Sequence, residues 1–301
     1  MPPTGFPHPT SPLTVCLLQP SLRKDAQSPI ECVHEIVELM LQAKKSSGNV
    51  IELFLLPELS PLGYSEDTFS RFLPLTPVTR NVQNQIDSEL QKAARQLKAA
   101  ICYGKIGWNE ETSMATIRQV VLDKEGKEIA AYDKIHVCDY GDCRETRFFT
   151  PGRLPCSFSI RDWTFGLMIC ADMRYPMLAQ TLVKSHGVHA ILQPASFARD
   201  CSFRTWKSFR ETRAVECGVY FLANNYAGDY FGQSSFNPPW IDEDNEPTVL
   251  ETEVSWIVGT LDPHVLETAR NGFPFYSHTM IGCPSCSVDG PSLDDTIVRN
   301  N

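Results

Sequence analysis

Apolar positions along the chain follow two repeats. Short unbroken apolar runs of strand length alternate with longer stretches in which apolar residues recur three and four positions apart, the spacing of one helix face. Residues 13–19 and 50–56 are runs of the first kind. Between them, Ile30, Val33, Val37, Met40 and Leu41 share one face of a helix predicted over 29–45, ended by Gly48 and Asn49. A second helix, 78–99, carries Val82, Ile86, Leu90, Ala94 and Leu97 on one side. Strands follow at 101–108 and 115–123, and a turn at 123–126 folds 128–132 back on them. The second half repeats the alternation, with strands at 164–169, 188–193, 218–224 and 254–261 and helices at 175–186 and 202–216. Asp262 and Pro263 then open a last helix reaching 271, with Pro at its first helical position.

Strands alternating with helices predict an α/β fold whose sheets are covered by helices, and the hairpins make those sheets mixed. No repeat and no Pro/Gly linker interrupts the middle. Residues 13–282 therefore read as one domain, although the length of 301 would allow two. The ends differ. Residues 1–12 hold five prolines and no Asp, Glu, Lys or Arg, and predict a disordered arm. Residues 283–301 are Ser/Asp-rich without periodicity and predict a disordered tail. Cys283 and Cys286 have metal-ligand spacing there, but no second such pair completes a zinc site, so no metal is expected.

Composition narrows the partners. Lys plus Arg number 27 against 36 Asp plus Glu, a net charge of −9 with no basic cluster, which excludes nucleic acid and anionic membrane surfaces as natural partners. No apolar run approaches the roughly 20 residues of a membrane span. The 11 cysteines are scattered through apolar segments of a long chain, as buried reduced thiols are. With neither a secretory leader nor an Arg-rich transit segment, they point to the cytoplasm.

Candidate chemistry sits where strands end, since α/β sheets gather functional groups beyond their carboxyl edges. Four ends carry unusual residues: Glu58, Lys134, Cys170, and the pair Ser196 and Phe197. Cys170 lies between an apolar strand and a helix, where backbone N–H groups can meet developing negative charge. A nucleophilic thiol needs a base. His136, His186 and His189 are candidates, and so is Glu58 if burial raises its pKa toward neutrality. Such a thiol would be an activated thiolate, open to selective alkylation near neutral pH. Lys134 is placed to offset an oxyanion. Ser196 and Phe197 are candidates to line a pocket, with Tyr64 and Trp108 behind them. Arg174 either orders the loop after Cys170 or pairs with Asp172. Arg210 and Arg213 share one helix face and either clamp a substrate carboxylate or pair with Glu211 and Glu216. Trp206 fits the core.

The constellation resembles the nitrilase superfamily of carbon–nitrogen hydrolases. The resemblance runs from about residue 13 to 280 and rests on LFLLPELSPLGY (53–64), YDKIHVCDYGDCRETRFFTPG (132–152), FGLMICADMRYP (165–176), WKSFRETRAVECGVYFLANNYAG (206–228) and FGQSSFNPPW (231–240). It implies Glu58 as general base, Lys134 as oxyanion-stabilising lysine, Cys170 as nucleophile and Glu145 as a second glutamate serving the lysine or the base. It places a backbone N–H near Ala171 at the oxyanion. It further implies a four-layer α-β-β-α sandwich, a homodimer packed through helices, a small-molecule amide substrate and no cofactor. Branches that hydrolyse nitriles typically carry Trp-Glu after the cysteine. Ala171 and Asp172 stand there here and favour amides. The residue after Pro176 is Met177 rather than Glu, Cys217 follows Glu216 where the family has Asn, and Ile241 follows Trp240 where Gly is usual.

Overall fold

A computed structural model describes residues 6–24, 27–48, 50–73, 76–109, 111–140 and 143–275. The expected tail with Cys283 and Cys286, and residues 1–5 of the expected arm, lie outside the described residues.

Twelve strands form two sheets among the described residues. The first holds β1 (Leu13–Gln19), β2 (Leu53–Leu55), β3 (Ala100–Asn109), β4 (Met114–Leu122) and β5 (Glu128–Asp133) in that order, with β12 (Ser255–Leu261) outside β1. The second runs β6 (Ser157–Ile160), β7 (Trp163–Leu167), β8 (Ala190–Pro194), β9 (Tyr220–Asn224), β10 (Ser235–Asn237) and β11 (Thr248–Val249). Each sheet has a parallel centre, β1-β2-β3 and β7-β8-β9, with antiparallel flanks. Every residue of β2, β8 and β9 is buried. That is what the unbroken apolar runs require, since such strands are covered on both faces.

The cover on the first sheet is α1 (Pro29–Ser46) and α3 (Pro77–Leu97), which also pack on each other. The second sheet carries α4 (Pro176–His186) and α5 (Arg204–Cys217). Both remaining helices are short: α2 (Glu66–Phe72) follows the loop after β2, and α6 (Pro263–Gly272) follows β12. Between the helical layers the sheets face each other. Asn224, at the end of β9, donates through Nδ2 to the carbonyls of Leu18 (3.0 Å) and Leu55 (2.8 Å), tying the second sheet to β1 and β2. The architecture is the expected α-β-β-α sandwich with mixed sheets.

Element ends show the local signals at work. Ser28 caps α1, its Oγ accepting from Ile30 N while Glu31 accepts from Ser28 N. Gly187 ends α4 and Gly218 ends α5 in the left-handed conformation, where lack of a Cβ costs nothing. Residues 8–12, expected to belong to a disordered arm, are instead tied down. Thr10 donates from its N–H (2.6 Å) and hydroxyl (2.7 Å) to Asp162, and Trp163 Nε1 donates to the Ser11 carbonyl (2.8 Å). Composition could not reveal those partners, which lie about 150 residues away.

Candidate active site

Strand direction brings the chemistry to one edge. β4 runs antiparallel to β3 and β5 antiparallel to β4, so β5 points the same way as β2. The chain leaving β2 carries Glu58 and the chain leaving β5 carries Lys134. Both side chains are fully buried, and Lys134 Nζ donates to Glu58 Oε1 at 2.7 Å. From the second sheet, the loop after β8 brings Ser196, whose backbone N–H donates to Glu58 Oε2 at 3.0 Å. Tyr226 fixes the segment after β2 by donating from its hydroxyl to the Glu58 carbonyl at 2.8 Å.

Two glycines permit the close approaches this needs. A Cβ on Gly104 of β3 would stand 2.2 Å from Leu59 N, so the Glu58 loop lies directly on the strand backbone. A Cβ on Gly152 would stand 2.1 Å from the Asp133 carbonyl, and Gly152 N donates to the Lys134 carbonyl at 2.7 Å.

Glu145 completes the charged cluster. It sits on a single 3₁₀ turn, Glu145–Arg147, and its Oε1 accepts from Lys134 Nζ at 2.7 Å and from the Tyr64 hydroxyl at 2.5 Å. Its Oε2 accepts from Cys138 N at 2.6 Å. Lys134 is thus held between two buried carboxylates. Burial opposes its charge, but Glu145 and Glu58 outweigh that and keep the ammonium well above the usual lysine range. Two carboxylates share one cation, so one of them protonates easily. Burial, offset by Lys134 and reinforced by Glu145, raises Glu58 to about 7.

Cys170 begins the 3₁₀ turn Cys170–Arg174 with φ of 44°, a left-handed conformation that costs an ordinary residue about 1–2 kcal/mol. The fastening around it is strong. Asp172, fully buried, accepts at Oδ2 from Ile169 N (2.8 Å) and the Tyr132 hydroxyl (2.7 Å), and at Oδ1 from His136 N (2.9 Å). Gln193 Nε2 holds the Cys170 carbonyl at 3.1 Å. The turn is thereby locked to β5 and to β8. Burial and the Glu58 charge push the Cys170 thiol well above its usual range, with Lys134 only partly offsetting them. In place of the activated thiolate expected near neutral pH, Cys170 therefore rests as a neutral thiol.

Beside this cluster lies a cavity of about 180 Å³, lined by Tyr64, Phe148, Cys143, Glu145, Ser196 and Tyr230 among others. The Ser196 hydroxyl is buried without a hydrogen-bond partner among the described residues. Ala171 occupies the second position of the Cys170 turn. The Phe197 ring packs on Trp206, 4.9 Å between centroids, under the Arg174 guanidinium. A one-residue step along the loop turns its side chain into the helix layer.

The other candidates find structural partners. His136 joins Asp172 through Nδ1 at 2.8 Å and stacks on Tyr175 at 3.6 Å. His186 Nδ1 meets Ser157 Oγ, and His189 Nδ1 accepts from Thr164 N. Arg174 donates to Ser202 and Thr205 rather than to Asp172. Arg213 pairs with Glu216 and also holds the Met173 carbonyl, while Arg210 and the core residue Trp206 both donate to Gln233 O. Trp108 stays 38% exposed on β3. Sequence reasoning missed Tyr226, Cys138 and the anchoring part of Asp172. Only Asp172, two residues past the cysteine, had a positional signal.

The carbon–nitrogen hydrolase family model matches residues 15–267. The chain belongs to the carbon–nitrogen hydrolase family. It is thereby an enzyme of the nitrilase superfamily that acts on carbon–nitrogen bonds other than peptide bonds. It is 26% identical over 239 residues to the omega-amidase NIT3 of Saccharomyces cerevisiae, covering 74% of this chain and 79% of that one. It is 27% identical over 184 residues to the deaminated glutathione amidase of Rattus norvegicus, and that match spans 56% of this chain and 54% of the rat protein. The crystal structure of Saccharomyces cerevisiae Nit3 superimposes with a TM-score of 0.74 over 87% of this chain and 94% of that chain, at 23% identity, and shares the fold.

Proposed function

We propose that this carbon–nitrogen hydrolase is a cysteine-dependent amidase that cleaves a small amide through a thioester acyl-enzyme, releasing ammonia or an amine. The observation that carries the reading is Glu58. It is fully buried, bonded to Lys134, and raised to about 7, the range a group needs to take and return a proton at neutral pH. Glu58 removes the Cys170 proton as sulfur attacks the amide carbon. Lys134 and the Ala171 N–H hold the oxyanion, since the first N–H groups of a helical turn have no partner within it. Glu58 then protonates the leaving nitrogen, and ionised again, it activates the water that breaks the thioester. Glu145 keeps Lys134 charged and aimed. The Ser196 hydroxyl, unpartnered beside the cavity, meets the substrate. Both relatives named above are amidases, and Ala171-Asp172 after the cysteine favours an amide over a nitrile.

The chemistry asks for no metal or cofactor. The same reading takes the protein as a cytoplasmic homodimer. Support comes from the nine free cysteines among the described residues, and from Tyr175 and Met177, which stand 42% and 72% exposed at the start of α4 as an apolar edge for a second copy. Light scattering on purified protein tests the dimer.

The deciding experiment exposes the enzyme to paired small amides and nitriles and seeks an acyl adduct on Cys170 by mass spectrometry. An adduct with amide-dependent ammonia release is expected. The C170A variant should keep its circular dichroism and lose turnover, and unchanged turnover in that variant would overturn the mechanism.

A further inference from the structure

Two cysteines beside the cluster have no part in that mechanism. Cys138 and Cys143 stand at the two ends of the loop leading into Glu145, and their thiols are hydrogen-bonded to each other. Cys138 is buried and Cys143 is half-buried, lining the cavity. The Cys138 thiol (3.8 Å) and the Cys143 N–H (3.1 Å) both donate to the Tyr140 carbonyl, so the two cysteines converge on one oxygen. Glu145 N donates to the Cys138 carbonyl at 2.9 Å. Tyr64 reaches both parts, its hydroxyl 2.5 Å from Glu145 Oε1 and 4.0 Å from Cys143 Sγ.

We propose that Cys138 and Cys143 form a reversible oxidation site, a dithiol that hydrogen peroxide converts to an intramolecular disulfide, displacing Glu145 and with it Lys134. The site exists independently of the amidase reading; its effect on turnover rests on that reading. The thiols are unequal in a way that suits the chemistry. The hydrogen bond from Cys143, with help from Lys134 against burial, lowers Cys138 to about 7, while the same bond and burial raise Cys143. Cys138 is the attacking thiolate and Cys143 the resolving thiol. The Cys138 sulfur attacks one oxygen of hydrogen peroxide and the O–O bond breaks, leaving a sulfenic acid on Cys138, while the departing hydroxide takes up the proton the thiol gave up and leaves as one water. The Cys143 sulfur then attacks that sulfenic sulfur. The S–S bond forms, the S–O bond breaks, and the Cys143 proton leaves with the oxygen as a second water. Two electrons pass from two thiols to one peroxide.

The link to the site is short. Cys138 contributes both its N–H and its carbonyl to Glu145. Drawing the Cys138 sulfur to bonding distance of Cys143 moves the backbone that holds Glu145 on Lys134. A disulfide in this place is exposed to the cavity through Cys143 and so remains open to a reducing thiol.

The two cysteines share one tryptic peptide, residues 135–144. The full-length C170A variant, which cannot begin oxidation at the nucleophile, is treated with hydrogen peroxide, denatured, alkylated with iodoacetamide and digested. The expected result is a peptide two hydrogens lighter with no alkyl group, and recovery of two alkylatable thiols after dithiothreitol. A peptide that keeps both alkyl groups, or goes directly to sulfinic acid, overturns the site. In the wild-type enzyme, peroxide should remove amide turnover, and dithiothreitol should restore it. The C143S variant should lose turnover at least several-fold more slowly. Equal loss in C143S, or a disulfide that leaves turnover unchanged, overturns the coupling to Glu145. If no amide is turned over at all, the amidase reading fails while the peptide mass still decides the oxidation site.

Discussion

Burial and the Glu58 charge keep the Cys170 thiol protonated at rest, and in the proposed mechanism Glu58, hydrogen-bonded to Lys134, removes that proton. A thiol raised by burial reacts only when a base is ionised beside it, so the pH dependence of turnover belongs to Glu58. Below its pKa the base is protonated and the first step stalls. The kcat/KM should therefore rise about tenfold per pH unit below neutrality and level off near pH 7. A rate profile from pH 5 to 9 checks this, and a limb centred near 4.5, the ordinary value for a glutamate, would remove Glu58 from the role. In E58Q the limb should vanish with the activity, a loss of about 10²–10⁴-fold as is usual for a general base. His136 has its Nδ1 on Asp172 and its ring on Tyr175, so it braces the turn that Cys170 begins.

At the scale of elements, the site depends on how closely the β2 exit loop lies on β3. An alanine Cβ at Gly104 would stand 2.2 Å from Leu59 N and 2.5 Å from its Cα, both backbone atoms that cannot swing aside. G104A should cost about 2–3 kcal/mol by overpacking. It should also lower kcat by displacing Glu58. A urea midpoint unchanged in G104A would mean the loop gives way freely. The sequence could not announce this contact, because a glycine inside an apolar strand reads only as permissive. What was legible followed periodicity: α1, α3, β1 and the β3–β4 pair lie within about two residues of expectation, since long amphipathic or apolar patterns carry their own signal. The run at 50–56 narrows to Leu53–Leu55, the three residues that pair in register with both β1 and β3. The short helix Glu66–Phe72 and the short strands Ser157–Ile160, Ser235–Asn237 and Thr248–Val249 escaped notice. Elements of two to seven residues show too few repeats to reveal a period. At the site, Glu58, Lys134 and Glu145 were legible as a motif, and the structure joins their side chains through hydrogen bonds to one ammonium. The packing of Phe197 on Trp206 was not legible, because which face a loop residue presents is set by the helix it packs on.

For the whole molecule, a core that holds two carboxylates against one ammonium carries a pH-dependent cost. Glu58 keeps its proton to about pH 7 when folded and only to its ordinary 4.5 when unfolded. Below 4.5 both states are protonated and the group is neutral in the balance. Between 4.5 and 7 the unfolded chain binds fewer protons than the folded one, so stability falls as pH rises, by on the order of 3 kcal/mol across the window. His189 works in the opposite direction. Its burial lowers it to about 4, so across a similar window the unfolded chain binds more protons and stability rises with pH. The two slopes offset each other, and the wild-type curve alone hides both. The difference between E58Q and wild type isolates the first. The urea-derived stability of E58Q relative to wild type should grow steadily between pH 4.5 and 7 and stay constant above it. A difference that is the same at every pH would mean that Glu58 ionises in the folded protein as it does in the unfolded chain. The site would then lack the proton store that the reaction needs.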